Sequence, residues 1–141
     1  MQIVPYLTFA GNCREALEYY AKCFRGEIQV MMSHGESPMA AEVPKEWRPL
    51  IMHARLSIRG CTLMASDRPP GDGTPASGFS VMVAFDTTAE AERVFGELAA
   101  GGKITMAMGA TFWAKRFGMV VDRFGIPWMI NGEMAASSSA A

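Results

Sequence analysis

The chain has 141 residues, half of them apolar and 19% charged, with a formal net charge of −1. That length supports one domain, or two half-domains sharing a core, and buries about two thirds of the surface an unfolded chain exposes, so neither disulfide nor metal is needed just to fold. The balance of apolar and charged residues excludes intrinsic disorder, and the near-neutral charge gives no basic field to draw in nucleic acid, so no nucleic-acid partner is expected.

The opening MQIVPYLTF is apolar but lacks the positive flank and long apolar core of a signal peptide. No stretch approaches the roughly 20 apolar residues of a membrane span, so a cytoplasmic protein without a membrane partner is expected. Cys13, Cys23 and Cys61 are odd in number and outside CxxC or CxxH spacing, which suggests free thiols. The twelve methionines fit two readings, plastic core filler or the lining of an adaptable apolar pocket, and core filler is the more ordinary of the two.

Residues 2–9, QIVPYLTF, have strand composition and run into Ala10-Gly11-Asn12, with Asn12 and Glu15 at capping-box spacing. Cys13, Leu17, Tyr20 and Phe24 then form one apolar helical stripe that ends before Gly26. This spacing gives Cys13 the role of a small buried hydrophobe. Strands are predicted over 27–33, 50–58 and 61–66, the last two joined by a tight Arg59-Gly60 turn. The stretch 34–49 carries Pro38, Pro44 and Pro49 and is read as a lid or interface loop, with Trp47 as an anchor for a partner or ligand. Arg68 to Ser77, RPPGDGTPAS, has the composition of a linker.

The plan then repeats. A strand over 78–85 precedes Thr87 and Glu90, again at capping-box spacing, and a helix with the stripe Ala91, Val94, Phe95 and Leu98, stopped by Gly101-Gly102. Further strands are predicted over 103–108, 114–122 and 126–131. The tail from Glu133 to Ala141 has nothing evident to pack against and is expected to fray. Two copies of β, α, β, β, β make an internal repeat and an α+β fold: modules 1–67 and 78–132, linker 68–77, within one domain 1–132. Each helix covers one face of a four-stranded sheet, and the other faces are expected to curl as half-barrels around a shared cavity, a usual home for a ligand.

The run Leu50-Ile51-Met52-His53-Ala54-Arg55-Leu56, with Leu63-Met64-Ala65-Ser66-Asp67, resembles the central signature of PhnB-like proteins of the glyoxalase/bleomycin-resistance/extradiol dioxygenase (vicinal oxygen chelate) superfamily. Trp113 to Gly118 and Asp122 to Trp128 resemble the closing signature of the same proteins, and the likeness covers residues 1 to 132. It implies paired βαβββ modules assembled as a homodimer. Catalytic members of the superfamily hold a divalent metal with His, Glu or Gln from the first and fourth strands of each module. Laid on that pattern, the ligand positions fall on Pro5 and Met64, and on Ser80 and Met129, none of which suits a hard or borderline ion. No metal or other cofactor is therefore expected, and neighbouring positions do not restore the site. Some PhnB-like proteins carry names suggesting a ubiquinone-pathway methyltransferase, yet no glycine-rich loop follows the first strand and no acid is placed to hold a ribose.

Two histidines exist, His34 and His53, and any imidazole chemistry must use one of them. His53, mid-strand beside Ser66 and Asp67, is the candidate catalytic residue; its plainer reading is a hydrogen-bonded structural histidine. Asp122 is read as a turn residue bonding nearby amides rather than an acid or base. Trp113, Phe117 and Trp128 can stack on a planar ligand or fill the core, and Lys115 and Arg116 can meet an anion or simply stay solvated. The candidate ligand-binding set is His53, Met64, Ser66, Ser80, Met82, Trp113, Phe117 and Met129. Three functions follow in order of preference. The first is a metal-free homodimer that binds a small organic molecule. The second is a lyase, isomerase or dioxygenase-like enzyme whose divalent metal is held unusually by His53, Asp67 or a dimer mate. The third is a protein-interaction scaffold that uses the Trp47 loop.

Overall fold

A computed structural model describes residues 1–135 of the chain. The elements are β1 (Tyr6–Phe9), α1 (Cys13–Phe24), β2 (Glu27–Ser33), β3 (Ile51–Ile58), β4 (Cys61–Asp67), β5 (Val81–Phe85), α2 (Thr88–Ala99), β6 (Lys103–Gly109), β7 (Ala114–Val121) and β8 (Pro127–Met134). The chain divides into two compact units, Met1–Thr74 and Pro75–Ala141, and the division falls inside the Pro/Gly-rich segment 68–77. No helix among the described residues is long and apolar enough to cross a membrane.

Each unit is one βαβββ module with a four-stranded mixed sheet, ordered β1-β4-β3-β2 in the first and β5-β8-β7-β6 in the second. In both, the first strand pairs in parallel with the last, and the remaining neighbours run antiparallel. A strand alternates its side chains between two faces, and a single helix covers one of them. In the first unit Leu7, Phe9, Ala54, Leu56, Leu63 and Ala65 are buried, as are Ala16, Leu17, Tyr20 and Phe24 of α1. The second unit repeats this with Val120, Trp128 and Ile130 under Ala91, Val94, Phe95 and Leu98 of α2. Cys13 lies in the first core, fully buried, and burial with the nearby Asp67 charge pushes its thiol up to about 12.

Several local expectations are corrected. The first strand begins at Tyr6 rather than Gln2, because Pro5 has no N–H to donate, although its carbonyl still accepts from the Met64 N–H at 3.0 Å. The strand expected from Gly78 begins at Val81. Glu133 and Met134, expected in a frayed tail, belong to β8: Met134 pairs with Ala114, and the Ala135 N–H donates to the Trp113 carbonyl at 2.9 Å. The rest of that tail, 136–141, lies outside the described residues. Asn12 makes no side-chain cap to α1, whereas Thr87 caps α2 by accepting from the Glu90 N–H at 3.3 Å. No methionine belongs to the buried core, so the core-filler reading gives way to methionines at partly or fully exposed positions.

Where α1 ends, Arg25 and not Gly26 takes the left-handed conformation, with φ 54°. Gly26 is needed for a different reason: a Cβ there would stand 2.7 Å from the Ser57 carbonyl oxygen, so a side chain would drive the helix end off β3. The β3–β4 hairpin turns on Arg59 and Gly60, both at positive φ, a conformation that matches the right-handed twist of the flanking strands. The loop between β2 and β3 carries three short 3-10 turns, 34–36, 40–42 and 45–47. Trp47 lies in the last of these and packs edge-on against His34, with ring centroids 5.9 Å apart.

Candidate functional site

Alternation leaves each sheet one face without a helix, and six of the eight candidate ligand residues, His53, Met64, Ser66, Met82, Phe117 and Met129, divide between these two faces, while Ser80 and Trp113 precede β5 and β7. On the first unit, Tyr6 and Thr8 stand opposite to buried Leu7 and Phe9, His53 and Arg55 flank buried Ala54, and Met64 and Ser66 flank buried Ala65. Register joins them across the strands: Tyr6 pairs with Met64, Met64 with Arg55, and Thr8 with Ser66. His53 is not isolated. Its Nδ1 is hydrogen-bonded to the Tyr6 hydroxyl at 3.1 Å, and the two rings are stacked with centroids 5.8 Å apart. A neutral imidazole that accepts from the phenol at Nδ1 carries its proton at Nε2. Beside them, Arg68 donates from Nε to Thr8 Oγ1 at 3.2 Å and from its guanidinium to the Thr8 carbonyl at 3.1 Å.

Arg55 is different from every other cation whose contacts are described here. Its side chain is half-buried, and its Nε is buried with no hydrogen-bond partner among the described residues. Leaving a buried donor unmet costs about 1–3 kcal/mol, and more when the group is charged. By contrast Lys115 pairs with Glu133, Arg116 Nε with Glu92 Oε1 at 2.8 Å, and Arg93 with Glu97 at 3.2 Å. Lys115 and Arg116, two candidates for meeting an anion, are thus engaged by carboxylates of their own chain. Arg55 and Tyr6 were not singled out by sequence reasoning. The signal was present in the alternation of His53 with Arg55, which places both on the face opposite Ala54.

On the second unit the helix-free face carries Met82, Met129, Met119, Phe117 and Asn131. Register sets four methionines in one row across the whole sheet, because Met82 pairs with Met129, Met129 with Met119, and Met119 with Met106. Met82 and Met106, on the two outer strands, are 43% and 48% exposed. Trp113 stacks edge-on against Phe117 at 5.2 Å and is itself met edge-on by the exposed Phe112 at 4.8 Å. Phe117 pairs with Asn131, whose fully buried Oδ1 finds no hydrogen-bond donor among the described residues. Ser80 lies just before β5. Trp128 takes the opposite side: it is buried in the core and donates its indole N–H to Asp122 Oδ2 at 2.8 Å.

Both aspartates considered from sequence are fixed by backbone amides. Asp67 Oδ1 accepts from the N–H groups of Gly11 and Cys13 at 3.0 and 2.9 Å, and its Oδ2 accepts from Ile51 at 2.8 Å. It therefore ties down the start of α1, where Asn12 makes no side-chain cap, from a distant strand. Asp122 Oδ1 accepts from Phe124 and Ile126 at 2.8 and 3.0 Å, the turn role expected of it.

The metal pattern of catalytic relatives does not fit the residues present. Met64 pairs with Tyr6 rather than Pro5, and Met129 with Met82 rather than Ser80, and neither exchange brings an imidazole or a carboxylate. Among the described residues no three His, Cys, Asp or Glu side chains are grouped to hold an ion.

Paired βαβββ units of this topology define the class: the glyoxalase/bleomycin-resistance/dioxygenase fold. A domain of that description from Frankia sp. EAN1pec matches with TM-score 0.62 over 94% of this chain and 97% of its own, at 14% identity, a likeness of fold alone. Within that class the chain belongs to the PhnB-like family, whose model, described as 3-demethylubiquinone-9 3-methyltransferase, matches residues 1–131. It is 42% identical over 139 residues to protein YjdN of Escherichia coli (strain K12), covering 93% of this chain and 95% of that one. The crystal structure of protein PA1353 from Pseudomonas aeruginosa matches with TM-score 0.85 at 47% identity, covering 93% and 96%. A PhnB protein from Bacillus cereus, also named for the 3-demethylubiquinone-9 3-methyltransferase, matches with TM-score 0.78 at 26% identity, covering 93% and 98%.

Proposed function

We propose that this protein is a cytoplasmic homodimer that binds a small, partly apolar organic molecule on the helix-free faces of its sheets, without the divalent metal of the catalytic relatives. The observation that carries the reading is the row Met82, Met129, Met119 and Met106, flanked by Trp113 and Phe117. Thioether side chains are flexible and polarizable, so a row of them shapes itself to apolar ligands that a rigid surface rejects. Fold neighbours named for bleomycin resistance make sequestration a role that needs only affinity.

The alternatives draw less support. A metal held by His53 and Asp67 needs free donor atoms on both, but Asp67 uses both carboxylate oxygens on three amides, which leaves His53 without its second ligand. Methyl transfer from a nucleoside cofactor needs open amides at the first helix, and the Gly11 and Cys13 amides there are taken by Asp67. Trp47, the anchor of a scaffold reading, already packs on His34.

The test uses the full chain labelled at its methionine methyls and titrated with small neutral aromatic probes. Saturable shifts at Met82, Met106, Met119 and Met129, with Met1 and Met39 unmoved, are expected. Shifts that never saturate, or that spread over all methionines, would count against a built surface. The same protein, purified without chelator and incubated with zinc, nickel, manganese or iron(II), is expected to retain no stoichiometric metal. Retention that disappears in His53→Ala would overturn the metal-free part. Sedimentation is expected to give twice the chain mass.

A further inference from the structure

We propose that the molecule held on the first unit carries an oxyanion, a carboxylate or a phosphoryl-type group, and that Arg55 binds it. The inference rests on the small-molecule reading above and names the chemical class of its ligand. A guanidinium is charged at all working pH values and presents a planar fork of donors that matches two oxygens of a carboxylate or phosphonate. In a folded protein such a fork is normally met by an acid of the same chain. Here its register partners, Val30 and Met64, bring no acid, and Asp67 at the end of β4 is committed to backbone amides. The Nε stays buried and unmet.

The surroundings suit an incoming anion. Met64 flanks Arg55 across the strand, giving an apolar floor that strengthens any charge pairing above it. The same face holds the Tyr6–His53 pair, whose hydrogen bond engages Nδ1 and leaves the imidazole Nε2 two residues along β3 from Arg55. Val30 faces Arg55 from β2 and brings no competing charge. A neutral ligand of the same shape offers one uncharged carbonyl acceptor in place of two anionic oxygens and meets the fork more weakly, so the site discriminates by charge as well as by shape.

The experiment titrates the full chain with benzoate, phenylphosphonate and benzamide while following the Arg55 Nε–H resonance, assigned through Arg55→Gln. Benzoate or phenylphosphonate is expected to bind about tenfold or more tightly than benzamide and to move that resonance, the better of the two identifying the anion. Arg55→Gln is expected to erase the preference for the anions over benzamide. Equal binding of all three, with the Nε–H resonance still, overturns the oxyanion assignment while leaving small-molecule binding intact. Saturable binding of none of them at millimolar concentration overturns the assignment together with the reading under it. Because the resonance is read in the unmodified protein, a variant that fails to fold does not remove the test.

Discussion

Single carboxylates hold each unit together at the point where its chain reverses. Asp67 ties the start of α1 and the start of β3 to the end of β4, through three amides far apart in sequence. Bonds from amides to an ionised acceptor are each stronger than neutral ones, so Asp67→Ala is expected to lower unfolding free energy by about 3 kcal/mol. Asn12→Ala, which removes a side chain that makes no cap bond, is expected to cost under about 0.5 kcal/mol. Urea unfolding of the two variants checks the contrast, and equal losses would return the cap to Asn12. Cys13 adds a pH dependence of known sign. Its thiol is raised from 9.0 to about 12 in the folded chain, so the native state holds the proton more tightly. The contribution is complete below pH 9 and is lost as pH climbs toward 12. Wild-type stability is thus expected to fall more steeply above pH 9 than that of Cys13→Ala in denaturant melts. Native alkylation at lower pH is expected to mark the exposed Cys61 and spare buried Cys13 and Cys23.

At the end of α1 two adjacent residues divide a task that glycine often performs alone. Arg25 takes the left-handed turn and Gly26 gives clearance beneath the Ser57 carbonyl. A left-handed conformation costs a residue with a Cβ about 1–2 kcal/mol, so Arg25→Gly is expected to stabilise the protein by about 1 kcal/mol. Gly26→Ala is expected to destabilise it by more than that, with both read from denaturant midpoints at constant slope. This helix also divides what the sequence can and cannot disclose. The stripe Cys13, Leu17, Tyr20 and Phe24 is local and periodic, and every member is buried as expected. The hairpin at Arg59-Gly60 and the Thr87 cap are equally local, each decided within four residues. The Asp67 cap was not legible, because nothing near Asn12 announces a competing acid from another strand. The methionine row was hidden in the same way: Met82, Met106, Met119 and Met129 become neighbours only once strand register is fixed. Arg55 lay in plain view inside a recognised motif, but its missing partner is a property of the folded surroundings.

Among the described residues every strand pairing is made within one unit, each unit has its own sheet and its own helix, and no ladder crosses the segment 68–77. Asp72 there bonds only locally, accepting from the Thr74 amide at 3.1 Å and from its hydroxyl at 2.8 Å, which holds the carboxyl below its usual range. A six-residue Gly/Ser insertion after Gly73 therefore breaks no sheet pairing and changes only the length of the connection. Loop entropy grows with the logarithm of length, so the insertion is expected to cost about 0.5 kcal/mol and to shift Tm by only about 1–2 °C. One cooperative thermal transition near the wild-type Tm would support two self-contained βαβββ modules. A loss several times larger would mean that the short connection itself restricts the unfolded chain or fixes the modules in the state that melts, and the tandem plan would then owe its stability to the linker as well as to the sheets.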